Sequence, residues 1–167
     1  MRSRIHFDSG AYLDTDKIPL DGHITPHFSW EEYANPSSGE EICCEIWPES
    51  LEHWKIVEEI RNLWCVRKGV GGVRCESGYR TKAFNSKIGG SQDSLHLHGC
   101  ASDMQFGAVN DADWKWLITE LTALGEKYGT LIELGRYDWG CHIGSHSEVW
   151  SPYTTARVYT YDKRTKK

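Results

Sequence analysis

The sequence lacks the features that mark membrane and exported proteins. No apolar run approaches the ~20 residues that span a bilayer, and residues 1–8 have no apolar segment typical of a secretory signal. Internal repeats and low-complexity linkers are also absent. We therefore expect one domain of 167 residues with no membrane span. We expect it to be made in the cytoplasm and to act on the cell wall only if it is released, as in phage lysis, or delivered by other means.

Cysteine pairs with metal-cluster spacing are lacking too. The six cysteines contain no C-x-x-C motif: Cys43, Cys44, Cys65, Cys75, Cys100 and Cys141. Their spacing favours free, mostly buried thiols over disulfides. A structural zinc site built from Cys100, Cys141, His98 and His142 stays open as an alternative.

An excess of positive charge is also absent. The net charge is -5 and the isoelectric point is about 5.9, which argues against nonspecific nucleic-acid binding, because that binding needs a basic face. The basic residues at 163–167 are few, and we expect them to be solvated. A hydrophobic content of 39% is typical of a globular domain, and a chain of this length buries a core without disulfides or a structural metal.

Hydrophobic spacing predicts two long helices. Apolar residues recur at helical intervals from Pro48 to about Val66 and again after Asn110. Ser29 and Glu32 have the spacing of a capping box for a shorter helix. Strand patterns cover residues 73–77, 101–106, 128–134, 139–145 and part of 151–161. Because helices and strands are segregated along the chain, we predict an α+β fold in which a small antiparallel sheet packs against helices.

Residues 94–103 are the most informative stretch. They place His96 and Asp103 seven residues apart, with small residues between them, and a further histidine, His142, follows downstream. Imidazoles and a carboxylate form a frequent catalytic zinc ligand set, completed by water. The pattern predicts metal-activated hydrolysis. His98 competes with His96, but we interpret it as a neighbour.

The surrounding residues extend this motif into a longer pattern. It consists of SGYR at residues 77–80, Asn85, GGS at 89–91, and S-x-H-x-x-G-x-A-x-D at 94–103. This pattern resembles the zinc D-alanyl-D-alanine carboxypeptidase family of metallopeptidases, most of all its branch from phages and bacterial cell-wall hydrolases. The similarity runs from about residue 27 to residue 146.

The resemblance implies a site and a fold. It implies one Zn²⁺ per chain on His96, Asp103 and His142, with Arg80 binding or polarising the substrate and Ser94 near it. A neighbouring acid would serve as general base. The implied fold is hedgehog- or DD-peptidase-like, with the zinc site on the sheet. We expect a single metallopeptidase domain over residues 1–167: an irregular segment at 1–26, the family-like core at 27–146 and a C-terminal extension at 147–167.

Two acids compete for the role of general base, Glu133 and Asp138. Better-known members carry an acid three residues before the last histidine, where this chain has Trp139. If residues 137–138 form a two-residue turn, Glu133 lies directly across from His142 on the same face of the hairpin. This register favours Glu133, whereas Asp is common in turns for local reasons. A shift of one residue would reverse the preference.

The expected function is that of a zinc peptidase acting on peptidoglycan stem peptides or cross-links, and we expect it to be a monomer. It would be a D,D-carboxypeptidase or an endopeptidase of the endolysin type. A catalytically inactive metal-binding or structural module of a phage or cell-wall assembly is the alternative. The D-Ala-D-Ala, L-Ala-D-Glu and cross-bridge bonds all suit the same machinery.

Overall fold

The computed structural model describes residues 4–6, 12–14, 23–34, 48–147 and 158–165. Its helices are α1 Trp30–Ala34, α2 Pro48–Lys68, α3 Lys82–Lys87, the 3-10 helix Leu95–His98, and α4 Asp111–Tyr128. Its strands are β1 Arg4–His6, β2 Tyr12–Asp14, β3 His23–Thr25, β4 Phe28–Ser29, β5 Cys75–Ser77, β6 Ala101–Met104, β7 Thr130–Arg136, β8 Cys141–Ser147 and β9 Val158–Asp162. No helix in these ranges is long and apolar enough to cross a membrane.

The main sheet has five strands in the order β5-β6-β8-β7-β9. The first four pair antiparallel, as predicted, but β9 pairs parallel to β7 at the edge. The prediction of a purely antiparallel sheet is therefore wrong at this edge. The segment expected to be a C-terminal extension thus supplies a strand of the main sheet.

The N-terminal segment also contains strands, although its sequence has little periodicity. β1 pairs antiparallel with β2, and β3 pairs antiparallel with β4. The expectation of an irregular segment at residues 1–26 is wrong for these strands. Such short two-stranded pairs carry a weak sequence signal, because a hairpin this small depends on tertiary packing for its stability.

Local capping signals set the helix ends. The Ser29 N–H donates to the Glu32 carboxylate at 2.9 Å, and the Glu32 N–H donates to Ser29 Oγ at 3.1 Å, which confirms the predicted capping box. Asn110 caps α4 by accepting from the Asp113 N–H at 2.8 Å. The helix ends at Gly129, whose φ of +63° favours glycine. Helix α2 begins and ends close to its predicted positions, and α4 begins where it was predicted to begin.

The β7–β8 hairpin differs in register from the sequence-based prediction. Arg136 pairs with Cys141, so residues 137–140 form the turn, and Glu133 pairs with Gly144 rather than with His142. The predicted two-residue turn is therefore wrong: the turn has four residues, and each β8 partner lies two positions later in the sequence than predicted. Because side chains alternate with a period of two, a shift of two leaves Glu133 on the same face as His142.

The two faces of the sheet have different roles. Ile132, Leu134 and Ile143 are fully buried and belong to the same core cluster as Trp54 of α2 and Leu117 of α4. Alternation along the strands turns their neighbours to the opposite face. The helices thus cover one face of the sheet, and the polar site lies on the other face.

Candidate metal centre

Three buried polar side chains meet on the open face of the sheet. His96, Asp103 and His142 each offer one ligand atom, and these atoms all lie within 4.8 Å of one another. This is the same set that the sequence motif predicts. Among the described residues, no other three histidine, cysteine, aspartate or glutamate side chains bring their ligand atoms this close together.

His96 is held by its own short helix. Ser94 caps the 3-10 helix by accepting a hydrogen bond from the His96 N–H at 3.4 Å. The His96 Nδ1 lies 2.6 Å from the Gly78 carbonyl oxygen, so Nδ1–H donates to it. This bond leaves Nε2 as the ring nitrogen that faces the cluster, and it orients the ring, as hydrogen-bond partners of metal-binding histidines do.

Asp103 and His142 are cross-strand partners in β6 and β8. The Asp103 Oδ1 lies 2.9 Å from the His142 Nδ1, and its Oδ2 lies 3.4 Å from the His96 Nε2. Arg80 donates to the same Oδ2 at 2.6 Å and to Ser77 Oγ at 2.8 Å. The sheet register therefore places two of the three candidate ligands side by side and gives the carboxylate a cationic partner.

Burial and neighbouring charges shift the pKa values of the clustered residues in opposite directions. Burial by itself raises the pKa of Asp103, but the neighbouring imidazoles hold this pKa well below its usual range. Burial lowers the pKa of His96. Burial would also lower the pKa of His142, but the carboxylates of Asp103 and Glu133 outweigh it and raise that pKa to about 9. A cation at this point would therefore compete with a proton for His142.

Glu133 lies beside the cluster. Its Oε1 is 3.1 Å from the His142 Nε2. The two atoms are not aligned for a hydrogen bond, so Nε2 is a buried nitrogen without a hydrogen-bond partner among the described residues. The interaction with His142 lowers the pKa of Glu133, which keeps the carboxylate ionised at neutral pH.

The structure does not bring the competing acid to the cluster. Asp138 is exposed in the β7–β8 turn, where its Oδ2 accepts hydrogen bonds from the backbone N–H and Oγ1 of Thr165 at 3.1 and 2.7 Å. It does not line the cleft that contains His96 and His142. Its position is that of a turn residue that holds the chain after β9.

The cysteines also stay outside the cluster. Cys75, Cys100 and Cys141 are buried free thiols, and Cys65 is half-buried and free. Cys100 and Cys141 belong to no metal-binding group in the described ranges. Burial raises the pKa of Cys141 to about 12, so this thiol stays protonated. The prediction for Cys43 and Cys44 lies outside the described residues.

The cluster suits a metal ion. Two imidazole nitrogens and one carboxylate converge in a buried place, and His142 Nε2 has no hydrogen-bond donor or acceptor aligned with it. Nitrogen and oxygen donors in this number are typical of a catalytic zinc site that keeps a further position open. His96, Asp103 and His142 are therefore the residues that would hold the metal.

A cleft of about 600 Å³ opens over the cluster. Arg80, Ser94 and Glu133 line it together with the three candidate ligands. Tyr137 and Tyr161 also line the cleft, although sequence reasoning did not single them out. The alternation of Tyr159 and Tyr161 in a predicted strand was the available signal, but a strand pattern does not say which edge of a sheet the strand joins.

A second buried network lies on the opposite face of the same strands. His53 of α2 is fully buried, with Nδ1 2.8 Å from Ser145 Oγ and Nε2 3.3 Å from Ser102 Oγ. Burial lowers the pKa of His53 to about 3, so its ring is neutral at neutral pH. Ser102 precedes Asp103 in β6 and Ser145 lies in β8, so His53 connects α2 to both strands that carry ligands.

Comparison with known families gives one match. A family model described as Peptidase M15 matches residues 26–133. The match includes His96, Asp103 and Glu133 and ends before His142. No curated protein and no solved structure matches the chain. Because the matched residues make up more than half of the chain, the protein belongs to the peptidase M15 family of metal-dependent peptidases.

Proposed function

We propose that the protein is a zinc-dependent peptidase that hydrolyses peptide bonds of bacterial peptidoglycan. The observation that carries this proposal is the convergence of His96, Asp103 and His142 at the floor of an open cleft. The M15 membership supports peptidase chemistry, and the resemblance of the central motif to D-alanyl-D-alanine carboxypeptidases supports the substrate class.

The cleft suits a short, charged peptide. Its polar lining contains both signs of charge, with Arg80 and Lys163 as cations and Asp93 and Asp162 as anions. Stem peptides carry free carboxylates and amines, so both kinds of partner are useful for binding them. Arg80 is already paired with Asp103, and its remaining N–H groups are the donors it offers to a substrate carbonyl or carboxylate.

The chain supplies a general base next to the ligands. A bound zinc ion would polarise the scissile carbonyl and lower the pKa of water. Glu133 is ionised and lies beside His142, so it accepts the proton of the attacking water and later passes it to the leaving amine. Arg80 stabilises the negative charge that develops on the carbonyl oxygen. Ser94 lines the same cleft and keeps His96 in place.

Mass spectrometry of peptidoglycan fragments tests this function. Purified sacculi and soluble muropeptides are incubated with the zinc-loaded protein, and the products are compared with those of His96→Ala. Loss of a terminal alanine identifies a D,D-carboxypeptidase, whereas cleavage within the stem or the cross-link identifies an endopeptidase. An absence of zinc-dependent products from every substrate would overturn the proposal in favour of an inactive metal-binding module.

A further inference from the structure

Three residues form a row across neighbouring strands of the main sheet. Gly135 of β7 pairs with His142 of β8 on one side and with Tyr161 of β9 on the other. Residues paired in this way point to the same face of the sheet. Tyr161 and the candidate ligand His142 are therefore separated only by a residue without a side chain.

The ring of Tyr161 occupies the space above Gly135. A Cβ placed on Gly135 would lie 2.5 Å from the phenol oxygen and 2.5 Å from Cε2 of Tyr161. Real Cβ atoms do not come this close, so glycine at this position is what allows the ring to lie across β7. The phenol end therefore reaches over β7 towards β8 and the metal cluster.

The surroundings hold the ring in this position. The rings of Tyr161 and His142 are 6.1 Å apart between centroids, and the Tyr161 hydroxyl is 3.4 Å from that of Tyr137. The Lys163 Nζ lies 5.3 Å from the centre of the Tyr161 ring. Glu133 of β7 and Tyr137, the first residue of the turn, lie two residues from Gly135 on either side, and both line the cleft. The Tyr161 hydroxyl thus lies beside a second phenol in the cleft that Glu133 also lines.

We propose that Tyr161 donates a hydrogen bond to the oxygen of the scissile carbonyl as negative charge develops on it. The proposal rests on the peptidase function proposed above. A phenol is protonated at neutral pH and is a donor with a fixed direction when its ring is packed. Tyr161 lies outside the residues matched by the family model, so the role is assigned by the geometry of this chain.

Hydrolysis of the peptide bond requires no proton transfer from Tyr161. The water oxygen bonds to the carbonyl carbon, its proton goes to Glu133, and the carbonyl π electrons move to the carbonyl oxygen. The Tyr161 O–H stabilises that oxygen and remains intact. When the C–N bond breaks, the amine takes the electron pair and receives the proton from Glu133.

The Tyr161→Phe variant removes the hydroxyl and keeps the ring. We expect kcat on the muropeptide cleaved by the wild type to fall about 10²-fold, the usual effect of losing one oxyanion donor. Because the donor acts on charge that develops in the transition state, KM should stay within about twofold. The bound zinc should be unchanged. The matched control is Tyr128→Phe, which removes a phenol that donates to Glu59 away from the cleft, and it should leave kcat unaltered.

Binding of a tetrahedral mimic gives a second readout. Calorimetry with a phosphinate dipeptide should show weaker binding to Tyr161→Phe than to the wild type, whereas binding of the planar carboxylate product of the cleavage is unchanged. Gly135→Ala, which pushes the ring out of its place, should lower kcat in the same way and add little to Tyr161→Phe.

The outcomes separate the two proposals. Unchanged kcat and unchanged phosphinate affinity in Tyr161→Phe, with an active wild type, would overturn the role of Tyr161 alone. A rise in KM with normal kcat would also overturn it, since Tyr161 would then only form a wall of the cleft. An inactive wild type would overturn the peptidase function and this role together.

Discussion

At the scale of single residues, the chemistry depends on how each ligand is oriented by a neighbour. The Gly78 carbonyl accepts a hydrogen bond from the His96 Nδ1–H. Asp103 lies between His96 and His142, and Arg80 contacts the carboxylate oxygen that also faces His96. Apart from the pair of His96 and Asp103, these contacts join residues that are distant in sequence. The site is thus sensitive to the loss of one side chain, because every member positions another.

Metal binding should depend on the three clustered residues. We expect His96→Ala and His142→Ala to lose most of their zinc, because either change leaves only two ligands. His98→Ala is the matched control, since His98 lies two residues from His96 in the same 3-10 helix but outside the cluster. Cys100→Ser and Cys141→Ser should also keep their zinc. Elemental analysis of the purified variants measures this, and zinc lost only with the thiols would contradict the assignment.

The general base should be Glu133 and not Asp138. Glu133→Gln keeps the shape of the side chain but cannot accept a proton at neutral pH, so turnover should fall about 10²–10⁴-fold. Asp138→Asn should change turnover little, because Asp138 is exposed and holds Thr165. Both variants are assayed on the same muropeptide at saturating zinc. An inactive Asp138→Asn beside a normal Glu133→Gln would show that the acid comes from the turn.

At the scale of elements, caps and hydrogen bonds between elements position the site. Glu32 closes the capping box of α1 and also accepts from the Cys75 N–H of β5 at 3.1 Å. At the other end of the core, Asp113 near the start of α4 pairs with Arg67 and Lys68 at the end of α2, at 2.9 and 2.8 Å. The two long helices thus pack as one layer behind the sheet.

Loss of the α4 cap should lower stability without changing the site. Asn110→Ala removes the acceptor for the Asp113 N–H, and such substitutions typically cost about 1 kcal/mol. Urea unfolding measures the free energy of unfolding, and Asn110→Ser, which restores an acceptor, is the control. Equal stability of the Ala and Ser variants would show that the cap contributes nothing here.

At the scale of the whole molecule, His53 should make stability depend on pH. The pKa of His53 is about 3 in the folded protein, against about 6.5 for an unperturbed histidine, so the unfolded chain takes up a proton first as pH falls. Above pH 6.5 the protonation of His53 does not affect the free energy of unfolding. Below pH 6.5 the free energy of unfolding decreases by about 1.4 kcal/mol for each pH unit, until the pKa of His53 in the folded protein is reached. Acidification therefore favours unfolding.

Urea unfolding of the zinc-free protein between pH 7.5 and 4.5 tests this expectation. The slope of stability against pH should be smaller in His53→Gln than in the wild type, because Gln does not titrate. The comparison uses slopes, so a uniform loss of stability in the variant does not affect it. Identical slopes would show that His53 is not the residue responsible.

The sequence alone determined the features that depend on local chemistry. Helix ends follow from caps that lie within three residues of the groups they satisfy, as Ser29 and Glu32 do. The central motif could also be recognised from the sequence, because a short helix and the next strand present His96 and Asp103 within one compact segment. Metal-dependent peptidase chemistry could be inferred at this level.

Only the tertiary structure decided which distant residues lie next to His96 and Asp103. The register of β7 and β8 moved by two residues from the prediction, and Glu133 kept its face only because that shift is even. β9 joined the sheet parallel to β7 and carried Tyr161 over Gly135. Strand order and register depend on which hydrophobic faces can be buried together, and that is a property of the assembled sheet and helices, not of any segment by itself.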